Sequence, residues 1–204
     1  MAEPGAVPPG DDMLVEHRLS GQTLLSGGFL EVRRDRVRLP DGGTASREYI
    51  RHGGAVAVIP LLDDGRLVLV RQYRYPLGKV LLEWPAGKLD AGESQLACAM
   101  RELQEETGYS AREWAYGGEI HNAAAYSSES IWLWFARGLR AGPARLDPGE
   151  FVQTVLMTAD ELEALDLRGE LPDVKTQVGL AWLRRALLGT RPWHWHGIGE
   201  AARL

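Results

Sequence analysis

The amino-acid sequence predicts an α+β domain built in layers, preceded by a small antiparallel β-sheet. Two observations predict it. Strand-like runs come as neighbours joined by tight-turn residues, as at Asp63-Asp64-Gly65, which is the mark of antiparallel hairpins. Helix-period stripes are few and set among those runs, so mixed layers fit better than a doubly wound parallel sheet. The 204 residues, 45% of them hydrophobic, suffice for one domain with an elaboration or two small ones, with a core that needs no staples.

Residues 1–12 (MAEPGAVPPGDD) hold Pro, Gly and Ala with little to bury and read as a mobile tail. Residues 13–54 carry short alternating runs, Phe29 to Arg33 and Asp35 to Leu39 among them, with a Pro-Asp-Gly-Gly turn at Pro40 to Gly43; they form the N-terminal β subdomain. The main domain, 55–190, opens with strands at Ala55 to Pro60 and Arg66 to Tyr73 around the Asp63-Asp64-Gly65 turn, then Val80 to Glu83. Further strands are expected at Ile131 to Ala136 and Phe151 to Met157. Helices are expected at about Ser94 to Thr107, Ala159 to Leu165 and Thr176 to Leu188, the last with Val178, Trp182, Leu183, Ala186 and Leu187 spaced for one buried stripe. Residues 191–204 read as a C-terminal tail. Its Trp193-His194-Trp195-His196 offers two histidines without a third ligand nearby, too few for a metal site, and the tryptophans suit docking or dimer packing.

The single cysteine, Cys98, excludes an internal disulfide and points to a reducing compartment. The N-terminus lacks a basic stretch followed by an apolar run, and no window approaches eighteen apolar residues, so a cytoplasmic protein without membrane association is expected. The net charge of -5 argues against a nucleic-acid surface, and any phosphate handled is expected to be small and metal-bound.

The densest chemistry lies between Gly87 and Tyr109. On a helix, Leu96, Met100, Leu103 and Thr107 fall within about 40° of one direction, the expected buried stripe, and Glu102, Glu105 and Glu106 fall on the opposite half. Glu102 stands i, i+4 from Glu106 and i, i+3 from Glu105, a crowding of like charge that weakens a helix without a counter-ion and that a divalent cation would relieve. Arg101, four residues before Glu105, can pair with it, and Gly87 and Gly92 let the preceding loop bend close to the helix. Cys98, one turn before Glu102, is a poor partner for Mg²⁺ and reads as a small packing residue.

That segment, Gly87, five residues, Glu93, seven residues, then Arg101-Glu102-Leu103-Gln104-Glu105-Glu106-Thr107-Gly108-Tyr109, resembles a complete Nudix box. The resemblance implies the Nudix fold, an α/β/α sandwich with a mixed sheet. It implies Glu102 and Glu106 as metal ligands, Glu105 and Glu93 supporting them or polarising water, and Arg101 orienting a glutamate. Mg²⁺ is the implied cofactor, with Mn²⁺ able to substitute.

The flanks extend the resemblance over about residues 25 to 188. Val70-Arg71-Gln72-Tyr73-Arg74, Leu82-Glu83-Trp84-Pro85-Ala86-Gly87, Gly169 to Thr176, Arg47-Glu48-Tyr49 and Gly53-Gly54-Ala55-Val56 are similar to the ADP-ribose pyrophosphatase branch. The branch implies Mg-dependent cleavage of the pyrophosphate of ADP-ribose or a related nucleoside diphosphate sugar, giving nucleoside monophosphate and sugar phosphate. It also implies a homodimer built with the N-terminal sheet. Carried over by position, the Ala86 carbonyl joins Glu102 and Glu106 as a metal ligand, and Arg74 contacts phosphate or sugar, with Arg47, Glu83 and Glu129 further substrate-binding candidates. Two departures stand out. Ala124 occupies the place of the branch's loop proline, which opens the alternative of GDP-mannose or a broad range of such sugars. The later acidic loop is reduced to Asp147-Pro148-Gly149-Glu150, leaving Glu150 as its candidate metal ligand and general base, with Glu105 the alternative base. A non-catalytic Nudix module that binds such ligands is the alternative of another class, and decayed box glutamates would be its mark.

Overall fold

The computed structural model describes residues 10–201, so most of the expected tail at 1–12 lies outside the described residues. The chain divides into two compact units, one of the residues through His52 with Ala123–Glu129, the other of Gly53–Asn122 and the residues from Ser130 onward.

The first unit is a three-stranded antiparallel sheet of β1 (His17–Ser26), β2 (Glu31–Arg38) and β3 (Thr44–Arg51), in that order. The runs at 29–33 and 35–39 are one strand, because Arg34 pairs through the ladder with Glu48 rather than breaking it. The expected turn closes with Gly42 at φ 87°, its N–H donating to Leu39 O at 3.0 Å. A buried carboxylate sits inside this sheet: Asp35 accepts from Arg18 Nε at 2.9 Å and Tyr49 Oη at 3.1 Å. It has room because the residue opposite is Gly21, where a Cβ would lie 1.9 Å from Asp35 Oδ1. The 123–129 segment joins through Ile50 N to Tyr126 O at 2.8 Å and Ser128 N to Ile50 O at 3.0 Å.

The second unit has the layered α+β form. Its elements in order are β4 (Ala55–Pro60), β5 (Arg66–Arg74), β6 (Lys79–Glu83), β7 (Ala86–Lys88), α1 (Gln95–Thr107), β8 (Tyr109–Ser110), β9 (Glu113–Ile120), β10 (Ile131–Arg137), β11 (Arg140–Ala141), β12 (Val152–Thr158), α2 (Ala159–Leu167), α3 (Val174–Leu187), β13 (His196–Gly197) and α4 (Ile198–Ala201). A mixed sheet runs β13-β9-β10-β4-β7, with β10 and β4 its parallel pair, and a second, antiparallel sheet runs β12-β5-β6. β4 is buried at every position, and its alternate residues face two different cores. Val56 and Val58 pack with Leu96, Cys98, Ala99 and Leu103 of α1, while Ala57 and Ile59 pack with Leu162 of α2 and Leu180 and Leu183 of α3. Those helices on opposite faces of one sheet make the α/β/α sandwich.

Three elements differ from the sequence reading. No strand is expected from the sequence at β9, where Gly117-Gly118 stands in the middle. The structure shows why glycines stand there: the register with β10 shifts at this point, and a Cβ on Gly117 would lie 2.6 Å from the Phe135 ring. Residues 191–197 pack on the sheet instead of trailing from it, Trp193 stacking on Phe135 at 3.6 Å between centroids and His196–Gly197 pairing with β9. On α1, Glu106 is buried at 3% exposure rather than lying on the open half, because the 85–87 segment covers that side of the helix.

No helix among the described residues is long and apolar enough to cross a membrane.

Candidate active site

α1 starts at Ser94, whose side chain accepts from Ala97 N, and ends at Gly108 in the left-handed region. The cap at Gly108 is forced twice over, by φ 75° and because a Cβ there would lie 2.3 Å from Gly142 O. Between these ends the helix presents Arg101, Glu102, Glu105 and Glu106. Arg101 is the hub. Its Nε and Nη2 donate to Glu93 at 2.9 and 2.8 Å, its Nη1 to Glu102 at 2.7 Å and Glu105 at 3.0 Å, and its Nη2 also to Lys88 O at 3.0 Å. The expected pairing with Glu105 is there, as one of several, and loop and helix are bound into one unit by this single guanidinium. The hydrogen bonds from Arg101 hold the Glu93 carboxyl down at about 2, against some burial.

Glu106 has no such partner. One carboxylate oxygen accepts from Ala86 N at 3.0 Å. Burial pushes its pKa up to about 8, against that hydrogen bond, and the nearby charges of Glu102 and Glu150 add to the rise. Glu102 is raised as well, by burial first, with Arg101 opposing and the charges of Glu105 and Glu150 adding. Its carboxylate lies directly against Gly87, where a Cβ would stand 1.8 Å from Oε1. Glu150 sits on the 142–151 loop, which is tied to the helix by Arg145 N donating to Glu105 O at 2.9 Å. Glu102 and Glu106 are thereby set against the Ala86–Gly87 backbone, with the charge of Glu150 acting on both.

Among the described residues no group of three or more His, Cys, Asp or Glu side chains is arranged to hold a metal ion. The expected donor set is the Ala86 carbonyl with the carboxylates of Glu102, Glu106 and Glu150, and those three carboxylates are not arranged as one ligand group, which leaves Glu102 and Glu106 with the carbonyl as the nearer set. Mg²⁺ is ordinarily held by one or two carboxylates with water and substrate phosphate completing its shell. The residues fit such a cation on two counts: every candidate donor is oxygen, and the burial that raises Glu106 is relieved by a positive charge beside it. Cys98 is fully buried in the α1 core, with its thiol raised by burial, as a packing residue.

The substrate-binding candidates fall in both units. Arg74 and Glu83 meet as a two-bond fork, Nε to Oε1 at 2.8 Å and Nη2 to Oε2 at 2.7 Å. Glu83 is 1% exposed; burial opposes its charge, but Arg74 and Lys175 outweigh it and hold the carboxyl below the usual range. Arg47 belongs to the first unit and is engaged there by Glu16. Glu129 also belongs to the first unit, 3.7 Å from His52 Nε2. Two charged residues carried no role in the sequence reading. Lys175, buried on the first turn of α3, donates to Glu83 and, at 3.0 Å, to Asp173. They lie in the Gly169 to Thr176 run that the resemblance covers, but more than sixty residues beyond Tyr109 at the end of the box, and local spacing gives them no role.

The family model described as NUDIX domain matches residues 51–177, and the one described as nucleoside diphosphate sugar hydrolase N-terminal domain matches residues 16–50. A protein of Bacillus methanolicus named methanol dehydrogenase activator is 37% identical over 83% of this chain and 92% of its own length. An ADP-ribose pyrophosphatase of Bacillus subtilis (strain 168) is 32% identical over 84% of this chain and 94% of its own. A crystal structure of an ADP compounds hydrolase superposes with a TM-score of 0.77 at 23% identity, covering 85% of this chain and 95% of that one, a likeness of fold.

Proposed function

We propose, since this chain belongs to the NUDIX family and matches its nucleoside diphosphate sugar hydrolase N-terminal domain, that it hydrolyses the pyrophosphate bond of ADP-ribose or a related nucleoside diphosphate sugar. The products are a nucleoside monophosphate and a sugar phosphate. The observation that carries this reading is the buried Glu106 beside Glu102 and the Ala86–Gly87 backbone, a set of oxygens short of positive charge.

The Ala86 carbonyl, Glu102 and Glu106 would hold Mg²⁺, or Mn²⁺ in its place, with Glu150 completing the acidic side. A bound divalent cation supplies charge neutralisation for a diphosphate and makes water more acidic. The chain's own residues do the rest. Arg101 keeps Glu93, Glu102 and Glu105 in fixed positions. Glu150 or Glu105 takes the proton of the attacking water, and Arg74 offers planar paired donors to phosphate or sugar. The intact box supports turnover over a non-catalytic binding role. Ala124 in place of the branch's proline supports a second reading within the same chemistry, a wider set of sugars or GDP-mannose. The homodimer, built with the N-terminal sheet, and a cytoplasmic location belong to the same proposal.

The test is product identification by mass spectrometry from ADP-ribose, ADP-glucose, GDP-mannose, NADH and diadenosine polyphosphates with Mg²⁺ in ¹⁸O-water. AMP and ribose 5-phosphate well ahead of other products support the first reading, and another sugar nucleotide in front supports the second. EDTA abolishes turnover. Glu106→Gln lowers it by about a hundredfold or more, beyond what loss of an outer partner costs a metal site, with the fold kept. Full activity in the Gln variant would overturn the site assignment.

A further inference from the structure

We infer that Lys175 is a positioning residue, which with Asp173 holds the Glu83–Arg74 fork so that the Arg74 guanidinium is presented to the substrate's phosphate; this rests on the hydrolase reading above. Glu83 Oε2 receives both Arg74 Nη2 and Lys175 Nζ, so one buried carboxylate is shared by two cations. Lys175 is buried and anchored on its other side by Asp173 Oδ1 at 3.0 Å. Asp173 is itself fixed as the cap of α3, its Oδ2 accepting from Thr176 N at 2.9 Å and Thr176 Oγ1 at 2.6 Å. The chain of contacts therefore runs from a rigid helix end through Lys175 and Glu83 to Arg74, the most open member at 39% side-chain exposure. The fork uses Nε and one hydrogen of Nη2 and leaves Nη1 for another acceptor. The charges of Glu106 and Asp173 both act on Arg74.

Charge explains why a lysine is needed. Glu83 alone would neutralise Arg74 and draw it inward. With Lys175 sharing the carboxylate, part of the guanidinium charge stays available to an anion. A buried ion pair is a weak source of stability and is often replaced by apolar residues without loss, so stability alone does not account for this one. The same helix turn also holds Trp84, whose backbone N–H and indole N–H donate to Thr176 Oγ1 and Thr176 O, each at 3.1 Å. Residues 83 and 84 are thus fixed just ahead of Ala86.

The test is a double-mutant cycle of Lys175→Met and Arg74→Ala, reading KM and kcat separately for the preferred substrate, and the Kd of ADP-ribose by calorimetry in EDTA. Each single variant is expected to raise KM and Kd by about ten- to a hundredfold, the range for a charged hydrogen bond, with kcat changed far less. The double variant is expected to be no worse than Arg74→Ala. If Lys175→Met does not fold, Lys175→Met with Glu83→Gln removes both buried charges, and the same raised KM is expected. A folded Lys175 variant with unchanged KM and Kd overturns the inference, as does an effect that multiplies onto Arg74→Ala. Wild-type protein that neither binds nor cleaves any sugar nucleotide overturns the hydrolase reading itself, and this role with it.

Discussion

Gly87 shows how little space the site leaves at a single residue. Its missing side chain is where the Glu102 carboxylate rests, and that carboxylate is not free to swing, because Arg101 holds it at 2.7 Å. Gly87→Ala therefore displaces Glu102 rather than the backbone. Activity in Mg²⁺ is expected to fall by about tenfold or more, in line with disturbing a metal site's supporting shell, while the melting temperature moves by only a few degrees. Equal losses of activity and stability would place the damage in the fold. At this scale much was legible in the sequence. Glu93, Arg101, Glu102, Glu105 and Glu106 are local in sequence, and helical spacing alone puts Arg101 beside Glu105. The burial of Glu106 was not legible, since the segment that covers it lies twenty residues earlier and helical period knows nothing of it. Lys175 and Asp173 lie in the family-like run Gly169 to Thr176, but their tie to Glu83 was not legible, for the same reason and at greater distance.

Among the elements, α3 anchors Glu83 and Trp84, just ahead of the Ala86–Gly87 backbone. It approaches β4 and the end of β6 closely because Gly179 lies over Trp84, where a Cβ would stand 2.3 Å from Nε1 and 3.2 Å from Ile59 Cγ1. Both neighbours are fully buried and cannot yield cheaply. Gly179→Ala gains helix propensity but forces α3 outward, and overpacking of this kind costs about 1–3 kcal/mol. A lower urea midpoint by equilibrium unfolding is the expected result, and an unchanged or higher midpoint would show that the helix can shift without loss. Strands β2, β4, β5, β6, β10 and β12 and all three longer helices follow from period and turn residues. β9 did not, because its Gly117-Gly118 pair, required by Phe135 and the register shift, looks like a loop when read alone.

For the whole molecule, Glu106 couples folding to pH. Its folded pKa of about 8 lies above the ordinary 4.5, so between those values the folded chain holds a proton that the unfolded chain gives up. In EDTA, stability is therefore full below about 4.5 and declines as pH rises through 8, by roughly a few kcal/mol. Glu102 shifts in the same direction. Glu93 acts in another window, its stabilisation being lost only as pH falls from the ordinary range through about 2. Thermal unfolding in EDTA from pH 5 to 9 is expected to show a falling midpoint that Glu106→Gln flattens. A midpoint equally steep in the Gln variant would assign the dependence elsewhere.

β9 lies toward the outer side of the mixed sheet, and a strand there offers unpaired backbone groups to any passing chain. Trp182 of α3 and the residues after that helix close that invitation. His196–Gly197 pairs with Trp114 and Glu113, Arg191 donates to Gly117 O, and the Trp182 ring lies where a Cβ on Gly118 would be. A segment that reads as loose trailing chain is thus a guard against strand-to-strand aggregation, and a chain shortened before Arg191 would keep its acidic cluster while baring the edge most able to recruit its own copies.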